Sequence, residues 1–193
     1  MLGLKLPTDP RWANIAEKNF EEILTDHAFC EQKAASYAIS LIVTYPELPE
    51  LVQAMCDLSR EEMSHFQMVH ERIVNRGLTL GRERKDMYVA RINEFFPKSG
   101  DRNERLIHKL LIAALIEARS CERFKVLSEN ISDSDLATFY RDLMVSEAGH
   151  YTMFLTFARH YGQREKVDTL WANLLEFEAE VMKEFGTKEL IHG

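Results

Sequence analysis

Four long segments of the chain place apolar residues at alternating spacings of four and three, the pattern of a helix that buries one face. The first stripe runs Phe20, Leu24, His27, Glu31, Ala34, Ala38, Leu41, Tyr45, and the second Leu51, Met55, Leu58, Glu62, His65, Val69. The third runs Leu106, Leu110, Ala113, Glu117, Ser120, Phe124, Leu127, and the fourth Leu136, Tyr140, Leu143, Glu147, His150, Phe154, Phe157. No stretch alternates with period two for long enough to demand a strand. The pattern predicts an all-α chain.

Punctuation residues set the expected boundaries. Thr8-Asp9-Pro10 offers a cap and a proline for a first helical turn, and Pro46 and Pro49 bracket a turn after Tyr45. The second helix is expected over 47–76, stopped by Gly77, and a short basic helix over 81–96, closed by Pro97-Lys98-Ser99-Gly100. A third long helix spans 103–129. Ser132-Asp133 caps a fourth, which runs to 161 before Gly162. A last helix over 164–185 leaves a mobile tail at about 186–193.

Composition narrows the class. A chain of 193 residues with 46% hydrophobic and 28% charged residues suits one globular domain with a substantial core, here 1–193. The start has no apolar segment of signal-peptide length, and the longest apolar stretches are too short or interrupted to span a bilayer. Cys30, Cys56 and Cys121 form no CxxC pair, and an odd count argues against a disulfide framework. A soluble, reduced, cytoplasmic protein that is not membrane-bound is expected. The net charge of −7 argues against a protein that coats nucleic acid, but it is unevenly spread. Residues 76–109 hold nine Lys/Arg against five Asp/Glu, a net of +4, which leaves −11 on the rest. A basic segment on an acidic body can meet an anionic partner.

The chemistry lies in a repeat. Glu31-Gln-Lys-Ala is followed 31 residues later by Glu62-Met-Ser-His65-Phe-Gln-Met. Glu117-Ala-Arg-Ser is followed 30 residues later by Glu147-Ala-Gly-His150-Tyr-Thr-Met. Each half reads Glu-x-(Lys/Arg)-small, then Glu-x-x-His-aromatic-x-Met. Every Glu and His of the repeat falls on an apolar stripe, where ionised carboxylates need a countercharge. Four carboxylates and two neutral imidazoles balance two divalent cations, and oxygen donors with imidazole suit iron or manganese. A Glu with a His three positions later can share one ion. With short, long and short connections, this gives a ferritin-like four-helix bundle with a long crossover and an additional C-terminal helix.

Other candidates compete less well. Glu61 is in register with His65 but lies off the stripe, and Glu122 sits about 140° around the helix from Glu117. Both read as surface groups or as outer partners of the ligands. His27, on the stripe one turn before Glu31, reads as a hydrogen-bonded core residue or a partner that orients a ligand, with direct ligation the alternative. Cys30, Cys121, Met68 and Met153 are expected to be packing residues.

A carboxylate-bridged iron pair can insert oxygen into an unactivated C–H bond, or act as a ferritin/rubrerythrin-like ferroxidase or peroxidase. The ligands do not choose among these outcomes. The phrases Leu6-Pro-Thr-Asp-Pro-Arg-Trp12, Asp26-His-Ala-Phe-Cys-Glu31-Gln-Lys-Ala-Ala35, Glu117-Ala-Arg-Ser-Cys-Glu-Arg-Phe124 and Ser146-Glu-Ala-Gly-His150-Tyr do help to choose. Together they resemble the MiaE family of tRNA hydroxylases, over nearly the whole chain. That resemblance implies an oxygen-dependent di-iron monooxygenase acting on the isopentenyl side chain of a (methylthio-)isopentenyl-adenosine in tRNA. Its ligands would be Glu31, Glu62, His65, Glu117, Glu147 and His150, holding two iron ions. Dioxygen would be co-substrate, and an external electron donor, a protein or reductase, would supply electrons to a monomer or dimer. Nothing resembles an RNP motif, a GXXG loop or a zinc knuckle. Candidate contacts to tRNA phosphates are therefore Arg82, Arg84, Lys85, Arg91, Lys98, Arg102 and Arg105 of the basic segment.

Overall fold

Several helix ends in this chain lie where a side chain or a glycine satisfies the backbone groups that a terminal turn leaves exposed. The computed structural model of the protein describes residues 2–185 and 190–192; among these it contains seven α-helices and no strand. They are α1 (Trp12–Lys18), α2 (Phe20–Thr44), α3 (Pro49–Asn75), α4 (Met87–Ile92), α5 (Arg102–Asn130), α6 (Ser134–Tyr161) and α7 (Arg164–Phe185). Asp101 and Glu104 form a reciprocal capping box at the start of α5, and the Asp133 carboxylate accepts the Leu136 N–H at the start of α6. α3 ends in a Schellman turn. Gly77 takes φ +71°, its N–H bonds the Val74 carbonyl, and the Leu78 N–H bonds the Ile73 carbonyl.

Two boundaries differ from the periodicity. The first long helix is interrupted at Asn19, whose φ of −130° and ψ of 40° separate α1 from α2. The basic helix expected over 81–96 shrinks to α4, because residues 81–85 are held to α2 instead. The Gly81 N–H bonds Thr25 Oγ1 at 3.2 Å, Lys33 Nζ bonds the Arg84 carbonyl at 3.0 Å, and Arg84 pairs with Glu22. Asp86 then caps α4 by accepting the Val89 N–H at 2.8 Å.

The chain forms two compact units. The first, residues 18–85 with 190–191, consists of α2 packed on α3. Its core includes Leu24, Ala28, Ala38 and Leu41 against Leu51, Met55, Leu58 and Val69. The second, residues 2–17, 86–185 and 192, pairs α5 with α6, and α7 touches α4, α5 and α6. Leu110, Leu115 and Phe124 with Leu136, Tyr140 and Phe154 are buried there. The stripes hold with three exceptions: Phe20, Ala34 and Phe157 are only half-buried. No helix among the described residues is long and apolar enough to cross a membrane.

The mobile tail expected at about 186–193 falls partly on 186–189 and 193, outside the described residues. Ile191 and His192 are described and buried. The Ile191 N–H bonds Asp26 Oδ2 at 2.7 Å.

Candidate metal centre

Each unit gathers two carboxylates and one imidazole from two packed helices. In the α2–α3 unit Glu31 comes from α2, and Glu62 and His65 from one turn of α3. One potential ligand atom from each lies within 4.8 Å of the others. His65 Nδ1 is 3.6 Å from Glu31 Oε2 and 3.5 Å from Glu62 Oε2. In the α5–α6 unit Glu117 comes from α5, and Glu147 and His150 from one turn of α6. Their ligand atoms also lie within 4.8 Å of one another, with His150 Nδ1 3.9 Å from Glu147 Oε1. All six side chains are buried. The helical i, i+3 spacing aims Glu and His the same way, and the partner helix supplies the second carboxylate.

The electrostatics of the α2–α3 cluster follow from this crowding. Burial alone would lower the affinity of the His65 imidazole for a proton, but Glu31 and Glu62 outweigh it and hold the group up at about 10. Burial alone would raise the Glu31 carboxyl, yet the hydrogen bond from His27 and the His65 imidazole close by keep it well below the ordinary carboxylate range. A cation on His65 thus offsets the buried carboxylates when no metal is bound, and a metal must displace that proton. The donor set fits a divalent ion in each unit: two carboxylates neutralise its charge, and oxygen with imidazole nitrogen suits iron or manganese.

His27 is fully buried, with Nε2 2.6 Å from Glu31 Oε1. Its ring N–H fixes one oxygen of that carboxylate and leaves the other facing His65. His27→Ala is expected to weaken metal binding about 10- to 100-fold, the usual effect of removing a group that orients a ligand. Iron titration followed by absorbance checks this, and unchanged affinity would make His27 a packing residue.

The rival carboxylates separate. Glu61 is exposed, with Oε1 3.9 Å from His65 Nε2. Glu122 is neither a surface group nor a partner of the ligands: it is buried and accepts the Thr8 N–H (2.8 Å), the Thr8 hydroxyl (2.6 Å) and Arg119 Nη1 (2.9 Å). Tethering of residues 6–8 to α5 explains its burial. Cys121 is buried, donates to the Met144 carbonyl, and has its thiol pushed up to about 11 by burial, so it packs rather than reacts. Cys30, Met68 and Met153 are half-buried rather than core.

The basic candidates are distributed over both units. Arg82, Arg84, Lys85, Lys98, Arg102 and Arg105 are exposed, and Arg91 is half-buried. Arg91 pairs with Glu94 and lies over the Phe177 ring at 5.6 Å, and Arg105 Nη1 bonds the Gly100 carbonyl at 2.6 Å. Periodicity missed a second buried polar system in the α5–α6 unit. Arg119 and Arg123 are both fully buried; Arg119 binds Glu178 and Glu122, and Arg123 lies over the Trp12 ring at 4.0 Å. A signal was present: Arg119, Glu122 and Arg123 recur at three and four positions within an otherwise apolar stretch of α5.

Comparison with known proteins follows this geometry. The family described as tRNA-(MS[2]IO[6]A)-hydroxylase (MiaE) matches residues 2–193. The chain is 36% identical over 164 residues to a tRNA 2-(methylsulfanyl)-N(6)-isopentenyladenosine(37) hydroxylase of Pseudomonas putida, covering 85% of this chain and 78% of that one. A protein of the same description from Salmonella typhimurium is 31% identical over 210 residues, covering 81% of this chain and 75% of the other. Among solved structures, a Synechococcus protein with aldehyde deformylating oxygenase activity superposes with a TM-score of 0.91 at 32% identity. That match covers 98% of this chain and 95% of the other.

Proposed function

This chain belongs to the MiaE family of tRNA hydroxylases, and from that premise we propose that it is a di-iron monooxygenase of the isopentenyl side chain of a (methylthio-)isopentenyl-adenosine in tRNA. The fold is all-α and ferritin-like. The observation that carries the proposal is the duplicated buried trio, Glu31, Glu62 and His65 in one unit and Glu117, Glu147 and His150 in the other. We assign these six residues to two iron ions in a single ferritin-like domain.

When bound, a ferrous pair supplies the electrons and open coordination positions that let dioxygen oxidise a C–H bond. The side chains do the rest. The carboxylates of Glu31, Glu62, Glu117 and Glu147 supply charge neutrality, and His65 and His150 would bind a metal as neutral imidazoles. His27 holds Glu31 in one orientation through its 2.6 Å hydrogen bond. Burial of all six groups excludes water, which strengthens every electrostatic interaction among them. The overall reaction takes one C–H bond, one dioxygen, two electrons and two protons to an alcohol and water, so an external donor must supply the electrons.

The substrate side chain reaches such a site only if its nucleoside leaves the base stack. Exposed cations at Arg82, Arg84, Lys85, Lys98, Arg102 and Arg105, with Arg91, are assigned to the tRNA backbone. Because Arg84 is engaged with Glu22, Arg82 and Lys85 make the cleaner test. The double change Arg82→Glu with Lys85→Glu is expected to weaken tRNA binding roughly tenfold at low salt and to reduce the salt slope by about two. Filter binding across a salt series measures both, and an unchanged slope would remove this segment from the interface.

Nucleoside mass spectrometry tests the function itself. Isopentenylated tRNA is incubated with iron-loaded protein, oxygen and a reductant, then digested. A gain of one oxygen on the prenyl-adenosine, absent without iron, is expected. No gain, with two irons per chain confirmed reducible, would point to ferroxidase or peroxidase activity.

A further inference from the structure

An open cleft of about 930 Å³ lies at one end of the α5–α6 unit, between the loop before α5 and the turn that joins α6 to α7. Its lining includes Phe96, Ser99, His108, Tyr161, Gln163 and Lys166, so aromatic rings stand beside a hydroxyl, an amide and a cation. The Phe96 ring covers one face of the His108 imidazole, with centroids 4.1 Å apart and planes 10° from parallel. The Phe157 ring stacks in the same way on Tyr161 at 6.0 Å. Phe96 is buried, whereas His108 and Tyr161 are half-buried and keep ring surface for a guest. Burial lowers the proton affinity of His108 against the opposing pull of Glu104, so the ring is neutral at neutral pH.

Local bonds hold the rim of the cleft in place. The Asp101–Glu104 capping box ties the loop to the first turn of α5, and Asn103 Nδ2 bonds the Tyr161 carbonyl at 2.9 Å, which ties α5 to the end of α6. Gly100 takes φ +130°, and at Gly162 a Cβ would fall 2.5 Å from Val167 Cγ2, so the turn into α7 closes only without a side chain. The charge is also arranged. Residues 98–109 carry Lys98, Arg102, Arg105 and Lys109 against Asp101 and Glu104, four minus two or +2, on a chain whose net charge is −7. Both carboxylates are engaged in the capping box. Aromatic faces beside cations are the means by which proteins hold an unpaired nucleobase together with its phosphates. The volume lies within the range that binds small ligands.

We propose that this cleft holds an unpaired nucleobase of the tRNA other than the one being hydroxylated, stacked on His108 and Tyr161, with the adjoining phosphates on Lys98, Arg102, Arg105 and Lys166. The inference rests on the tRNA hydroxylase reading. Glu117 lies nine positions after His108 on α5, about 14 Å along the helix. A base in the cleft is therefore distinct from the one whose side chain reaches the carboxylates. Holding such a neighbour sets the register of the strand, and so selects which nucleoside is presented to the site. The neutral His108 ring suits this role, because it stacks without adding a charge that would attract phosphates into the cleft itself.

The test measures binding of the iron-loaded full chain to isopentenylated tRNA assembled from two pieces, so that any one unpaired nucleotide near the modified adenosine can be made abasic. His108→Ala and Tyr161→Ala should each weaken binding about 5- to 150-fold, the effect of removing one stacking platform. His108→Phe, which keeps a ring, should bind like the wild type. The slope of log affinity against log salt should stay the same in His108→Ala, because no phosphate contact is lost, and should fall by about one in Lys166→Ala. At one nucleotide, the abasic tRNA should bind the wild type as weakly as intact tRNA binds His108→Ala, and there the substitution should cost nothing further. Wild-type affinity in His108→Ala would overturn the assignment and leave the cleft to a protein or small-molecule guest. A loss that persists equally on every abasic tRNA would also overturn it, as the mark of a damaged fold. A wild-type chain that neither binds this tRNA nor hydroxylates it overturns the hydroxylase reading, and the cleft with it. Failure of the cleft alone leaves the wild type binding and hydroxylating.

Discussion

Glu147→Ala is expected to lower the metal stoichiometry from two ions to one or fewer per chain and to abolish hydroxylation. In the α5–α6 unit Glu117 and Glu147 supply the carboxylates that cluster with the His150 imidazole. Without Glu147 that trio retains one negative charge against a divalent ion, inside a buried environment where an uncompensated charge is expensive. The loss should exceed the 10- to 100-fold effect expected at His27, because a donor atom disappears rather than an orienting hydrogen bond. Glu62→Ala should act in the same way through the α2–α3 unit, where it leaves Glu31 and His65. Elemental analysis after iron loading and desalting measures both. Full retention of two irons by Glu147→Ala would refute the ligand assignment.

Arg119→Met should produce the largest loss of stability. The guanidinium is fully buried and binds Glu178 Oε1 through Nε at 2.9 Å and Nη2 at 2.6 Å, Glu122 Oε2 at 2.9 Å, and the Leu6 carbonyl at 3.0 Å. Burial alone would lower its proton affinity, but Glu178 and then Tyr88 and Glu122 raise it above the usual arginine value, so it stays charged. Burial pushes the Glu178 carboxyl up despite Arg119, a sign that desolvation is not fully offset even with its partner present. Removing the cation strands Glu178 and Glu122, and breaking such a buried pair typically costs about 3–5 kcal/mol. At roughly 2–4 °C per kcal/mol for a chain of this size, the melting temperature should fall by about 6–20 °C. Adding Glu178→Leu should recover part of the loss, because an apolar pair of similar volume replaces a stranded charge. A drop below about 2 °C in Arg119→Met by thermal circular dichroism would show that the network contributes little.

The network also shows which kind of information sequence periodicity carries. Glu117, Glu147 and His150 were legible because each occupies an apolar-stripe position, where only a countercharge explains it. Arg119 and Glu122 share α5 with Glu117 but lie off its stripe, so the helical period alone does not mark them as buried, and only the apolar stretch around them hints at it. They are buried because residues 6–8 and α7 cover that face, through Leu6, Thr8 and Glu178. Such coverage depends on contacts between positions more than 50 apart in the chain, such as Arg119 and Glu178. No local pattern records them. His192 is a similar case: a terminal histidine reads as tail until Ser120 and Asp86 are seen on its two nitrogens.

By itself, the sequence determined the all-α class, the long helices and the six-residue repeat, because helical period, caps and the energetic penalty of a buried carboxylate act over a few turns. The resemblance to tRNA hydroxylases was legible in short phrases for the same reason. Tertiary structure decided the rest. It divided the first helix at Asn19 and shortened the basic helix to Met87–Ile92, because residues 81–85 bond to α2 instead of to themselves. It buried Arg119 and Glu122, and it joined Ser120, His192 and Asp86, since burial and hydrogen bonding between distant segments are set only once the chain has packed.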